Sequence, residues 1–177
     1  MLRVGKAALG AAVLGGLLFS GGSAHAAGTR AGGMVKVWAT PPLSGQGGPV
    51  VITGAIGDYG NTLKVDSAGK ADKKGLYTMF TLTKGTILIN GAQLNAAIQN
   101  GQPTDLNAAT CSGSQSASEP VAVVSGTKAY AGITGSLTAT ARFAFVLPRT
   151  PGGKCDDNAN PIASSATITG SGTVTFG

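Results

Sequence analysis

The chain has 177 residues, 29 of them glycine, with 42% hydrophobic, 5% aromatic and 11% charged residues. Its length fits one domain, and so low a charge content excludes a solvated helical bundle laced with ion pairs. The formal net charge of +6 is too dispersed for a nucleic-acid groove, which needs clustered arginines and stacking aromatics, so no nucleic-acid partner is expected.

Residues 1–26 read as an export signal. Arg3 and Lys6 supply a positive start, residues 7–19 are apolar, and a small polar stretch ends in Ala24-His25-Ala26, an A-x-A cleavage pattern. Cleavage near Ala26 leaves residues 27–177, about 151 residues, as a single secreted domain with eleven basic and seven acidic side chains, a net charge of +4. The sole histidine, His25, leaves with the signal. A Ser-His-Asp triad, a Cys-His pair and a His-ligated zinc site are therefore excluded from the exported chain. No later apolar run is long enough to cross a bilayer as a helix, so the domain is expected not to span a membrane.

Short strands come first. Residues 34–39 carry the only tryptophan, Trp38, and residues 50–53 follow a Pro/Gly-rich stretch at 41–49. Residues 63–65 and 76–82 flank a charged segment, 66–75, that reads as a solvated hairpin tip holding Asp66, Asp72, Lys70, Lys73 and Lys74. Residues 86–89 end at Asn90-Gly91, a turn dipeptide. Residues 92–99 place Leu94 and Ile98 four apart among good helix formers and predict one short helix, stopped by Gly101 and Pro103. Residues 100–118 are polar and Gly/Ser-rich and predict a long loop, followed by a strand at 120–124.

The strongest periodicity lies near the C-terminus. Ile133, Gly135, Leu137, Ala139, Ala141, Phe143, Phe145 and Leu147 alternate with Thr134, Ser136, Thr138, Thr140 and Arg142. Period two with one apolar face and one hydroxyl face predicts a long half-buried strand, with Leu137, Ala139, Ala141, Phe143 and Phe145 on its inner side. Ile168, Gly170, Gly172, Val174 and Phe176 alternate with threonine and serine in the same way. Glycine and alanine on the inner faces of long antiparallel neighbours suit a strongly coiled sheet or small barrel, in an all-β chain of about eight strands.

Two cysteines, Cys111 and Cys155, survive cleavage. An even count in an exported chain, with no C-x-x-C spacing, predicts one disulfide between the loops at 100–118 and 150–161. Closing a loop of about 45 residues is worth roughly 4 kcal/mol by chain entropy.

Other constellations resolve into loops. Cys155-Asp156-Asp157-Asn158-Ala159-Asn160 crowds oxygen ligands, but lacks EF-hand spacing and a bidentate acid, so it reads as a turn and no metal is expected. Leu147-Pro148-Arg149-Thr150-Pro151 resembles a sorting motif but ends in proline without a hydrophobic tail. Eight aromatics after cleavage are too few for the girdles of an outer-membrane barrel. The acids Asp58, Asp66, Asp72, Asp105, Asp156 and Asp157 fall at turns or loops and read as solvated, while Glu119 stands just before a strand. Tyr59, Tyr77 and Tyr130 have polar tips, with core packing around a satisfied hydroxyl as the default.

The segment Gly126-Thr127-Lys128-Ala129-Tyr130-Ala131-Gly132-Ile133-Thr134-Gly135-Ser136 resembles the G-T-G-x-Y-x-G-x-x-G turn of the allene oxide cyclase and dirigent-like β-barrel superfamily, with Lys128 standing at the motif's second glycine. Residues 77–89, with Lys84-Gly85-Thr86, are similar to the strand and K-G-T turn of secreted bacterial members. The resemblance covers residues 54–177 and rests on Gly126, Thr127, Tyr130, Gly132 and Gly135 as the motif turn. It implies an eight-stranded antiparallel barrel, often dimeric or trimeric, with an apolar cavity. Plant members hold a reactive intermediate in that cavity and steer its cyclisation or coupling.

These readings lead to a secreted barrel that binds a small apolar ligand or acts at the cell surface, without a cofactor and without enzymatic activity. A cyclase-like or dirigent-like enzyme is the alternative, with Glu119 and Tyr130 as the candidate catalytic groups. An immunoglobulin-like sandwich serving as an adhesin or inhibitor shares the strand count and the disulfide. The first two expect a lumen, and the third expects two open sheets.

Overall fold

Alternating apolar and hydroxyl side chains become the two faces of one closed sheet in a computed structural model, which describes residues 31–41, 47–101, 103 and 105–177. The expected export signal at residues 1–26 lies outside the described residues. The strands are β1 (Gly33–Ala39), β2 (Pro49–Gly54), β3 (Asp58–Val65), β4 (Tyr77–Leu82), β5 (Gly85–Asn90), β6 (Ser112–Gly126), β7 (Ile133–Val146) and β8 (Ala163–Phe176). One helix, α1 (Ala92–Asn100), joins β5 to β6, and a short 3-10 turn (Lys128–Tyr130) joins β6 to β7. Each strand pairs antiparallel with the next, and β8 pairs back with β1. The chain is thus an eight-stranded antiparallel barrel, and the two open sheets of a sandwich are absent.

Burial follows the period of two. Val35 and Val37 of β1, Val50 and Ile52 of β2, Phe80 and Leu82 of β4, and Ile87 and Ile89 of β5 point inward and are buried. Val121, Val123, Ile133, Leu137, Ala139 and Val174 complete the ring. Gly172 sits between Val35 and Leu137 in register. A Cβ there would stand 2.1 Å from the Ser136 carbonyl oxygen, so only a hydrogen fits where β8 coils against β7. The half of the lumen nearest the β6–β7 turn is packed: the gap among Val35, Ile52, Ile87 and Val174 is about 10 Å³, at or below the space one water needs.

β6, β7 and β8 are 15, 14 and 14 residues long, whereas β1 to β5 have 6 to 8. Pairing of β1 with β8 stops at Ala39 and Ile168, and that of β5 with β6 stops at Asn90 and Ala122. The three long strands therefore run on past the wall as an arm. The Cys111–Cys155 disulfide, with a sequence separation of 44, ties the arm's far end. Arg149 donates to the carbonyls of Ala109 and Gly153 across the same two loops.

The structure corrects three strand boundaries. Residues 112–118, expected in a loop, are the first half of β6, because β7 offers a partner along its whole length: Ser112 faces Val146 and Ser118 faces Thr140. β3 starts at Asp58 rather than residue 63, with Tyr59 and Asn61 paired to Val51 and Pro49. β8 begins at Ala163, well before its clear alternation, again because β7 pairs with it. The inner face of β7 is divided. Leu137 and Ala139 belong to the barrel core and Ala141 packs on it, while Phe145 joins Cys111, Leu147 and the half-buried Phe143 in a second small cluster under the disulfide.

Candidate functional site

The two barrel ends differ in chemistry. At the closed end, the β2–β3, β4–β5 and β6–β7 turns converge on Asp58, which is only 6% exposed. Its carboxylate accepts the Tyr130 hydroxyl at 2.5 Å, the Thr83 hydroxyl at 2.5 Å, and the backbone N–H groups of Tyr59 at 2.8 Å and Lys84 at 3.1 Å. Burial by itself raises the pKa of this carboxyl. The bonds from Thr83, Tyr130, Tyr59 and Lys84 outweigh it and hold the group well below the usual carboxylate range. Four donors thus stabilise the ionised form in place of water.

The motif turn builds this knot. Tyr130 is fully buried, as the core-packing reading of its satisfied hydroxyl expects. Thr127 Oγ1 accepts the Thr86 N–H at 3.1 Å, and the two hydroxyls lie 2.8 Å apart. Gly126 lies against Tyr130, where a Cβ would meet the Tyr130 carbonyl oxygen at 2.4 Å. Gly132 and Gly135 have positive φ, and so does Lys128, at +54°. The lysine adopts a left-handed conformation that glycine takes freely.

Asp58, expected at a solvated turn, is instead the most deeply buried charge among the described residues. No local pattern distinguishes it. Its partners Thr83 and Tyr130 lie 25 and 72 residues away, so only barrel closure brings them together.

The opposite end is a mouth. Leu94 and Ile98 put one face of α1 toward the strands, and Leu94 is buried in the core. The first turn is held by Asn90 Oδ1, which accepts the Ala92 N–H at 3.1 Å. The last is held by Gln115 of β6, whose amide donates to the Ile98 carbonyl at 2.5 Å. Between α1 and the rims of β3, β4, β7 and β8 lies a cleft of about 220 Å³. Leu76, Leu94, Ile98, Phe143 and Ile168 supply its apolar lining. A smaller gap of about 60 Å³ continues below it, between Val37, Phe80, Val121 and Gly170. Ala139 and Ala141 line these spaces and leave room that larger side chains would fill.

Glu119 and Tyr130 are not brought together. Glu119 faces Ala139 in register on the inner side of β6 and is half-buried. Tyr130 is committed to Asp58 at the other end. The acidic turn at 156–158 closes on itself, Asp156 accepting the Asn158 N–H. Among the described residues no helix is long and apolar enough to cross a membrane. Comparison with family models, curated proteins and solved structures found no match.

Proposed function

We propose that the chain is an exported binding barrel that holds a small apolar ligand at its helix-covered mouth. The observation that carries this reading is the apolar cleft between α1 and the strand rims. Its 220 Å³ falls below the ~300–1,000 Å³ of sites for drug-sized molecules, so it suits a short ligand or one end of a longer one. The disulfide, in a chain whose start reads as an export signal, supports an oxidising destination outside the cytoplasm. The closed eight-stranded barrel supports reading the chain beside the allene oxide cyclase and dirigent barrels, as a holder of ligands rather than a hydrolase. The packed closed end favours no chemistry there: the one buried acid already has four donors on its carboxylate.

The test is a fluorescence titration of residues 27–177, without reductant, using the uncharged dye N-phenylnaphthylamine. Saturable binding with a blue shift is expected. Ala166→Trp, at a half-buried lining position of β8, should fill the cleft and abolish binding while leaving the closed end intact. Absence of saturable binding, or binding unchanged in Ala166→Trp, would overturn the reading.

A further inference from the structure

The mouth is not wholly apolar. Lys64 falls on the inner face of β3 with Thr62, pairs in register with Thr78, and is half-buried where it lines the cleft. All seven acidic side chains of the chain lie among the described residues, and none of them lines the cleft. No ion pair joins Lys64 to a carboxylate among the described residues. Arg142, on the exposed face of β7, adds a second cation at the rim. The Lys64 cation stands beside Tyr77, Leu94, Ile98 and Phe143 at the edge of an apolar slot; Asp72, whose N–H donates to the Lys64 carbonyl at 3.0 Å, flanks it from the β3–β4 turn but does not line the slot. Lysine also suits this place mechanically, because its methylene stem lies along apolar surface while the ammonium reaches water or a ligand head.

We infer that the ligand is a single-chain amphiphile with a carboxylate head, its tail in the cleft between α1 and β7–β8 and its head on the Lys64 ammonium. This rests on the binding reading above and adds the sign of the head group. The charge does the selecting. A carboxylate gains a charge-assisted hydrogen bond, an alcohol of the same tail gains only burial, and an amine meets a like charge.

The experiment is displacement of N-phenylnaphthylamine by decanoate, decanol and decylamine, which share one tail. Decanoate should displace the dye at about tenfold lower concentration than decanol, with decylamine weakest. Raising the salt concentration should narrow the gap. Lys64→Met should erase the preference without abolishing dye binding, and Lys64→Arg should keep it. Lys64→Gln carries the same test if the methionine variant fails to fold by thermal melting. Equal displacement by decanoate and decanol, or a preference that survives loss of the lysine, overturns the inference and leaves the cleft reading standing. No dye binding in the unsubstituted protein removes both.

Discussion

The closed end and the mouth are made from the same alternating strands, yet one is sealed by a satisfied charge and the other is left open. At the closed end, three turns deliver Tyr130, Thr83 and two backbone N–H groups to Asp58, and the lumen beside them is filled by branched and aromatic side chains. At the mouth, Ala139, Ala141 and Gly170 face inward where larger residues would close the gap, and α1 lies over the opening. Rigidity and vacancy are thus placed at opposite ends of one wall. A buried polar cluster fixes geometry when every member is paired, and small inner residues leave volume at the other end.

Breaking the closed end should cost most. Tyr130→Ala removes a fully buried ring and a donor to Asp58 and is expected to cost about 3–5 kcal/mol in urea unfolding. Ile98→Ala, at the half-buried mouth, should cost about 1 kcal/mol and mainly weaken dye binding. Equal costs at the two sites would remove the contrast between a sealed end and an open one.

The arm tests whether the mouth depends on what lies beyond it. Replacing both Cys111 and Cys155 by serine should lower stability by about 2–4 kcal/mol, read as a shift of the denaturant midpoint. Phe143 lines the cleft and stacks on Phe145 at 5.7 Å between ring centroids, and Phe145 packs on Cys111. Dye affinity should therefore fall in the double variant. Unchanged affinity would make the arm and the cleft independent.

Acid provides a finer probe of the closed end. The folded-state pKa of Asp58 is depressed, so between the folded and unfolded values the unfolded chain binds more protons. Its contribution to stability is complete above the unfolded value of about 3.9 and is lost as pH falls below that, through the depressed folded value. Tyr130→Phe removes one of the bonds that depress it. The variant should lose about 1–3 kcal/mol at neutral pH and show a shallower further loss in acid. Parallel pH profiles for the two proteins would mean that the hydroxyl does not set the Asp58 titration.

The smallest effect is a gain. Lys128 occupies the left-handed region at φ +54°, where an L side chain is strained by about 1–2 kcal/mol. Lys128→Gly relieves that strain but frees the unfolded chain, for a net stabilisation of about 0.5 kcal/mol. A thermal melt no higher than that of the unsubstituted protein would show that the surrounding turn already accommodates the lysine.

Much of this architecture was legible without coordinates, and the physical reason is locality. The alternation from Ile133 to Phe145 and from Ile168 to Phe176 declares a strand and its inner face, because side chains one residue apart must point to opposite sides of a sheet. Leu94 and Ile98 declare α1 by their spacing, and the chain's two cysteines declare their bond by count. What lacked a local signature was misplaced: the serine-rich start of β6 looks like a loop until β7 pairs with it, and Asp58 looks solvated until two distant turns supply its donors. The mouth followed the same division. Leu94, Ile98, Ala141 and Phe143 were individually readable as apolar faces, while Lys64 carried no signal at all. By itself the sequence determined the strand pattern, the helix and the disulfide, since each is set by neighbours or by elimination. Only the tertiary structure decided that the barrel closes, that Asp58 becomes the seal of one end, and that Lys64 stands at the edge of an apolar cleft at the other, because each depends on residues that meet only when the strands close on one another.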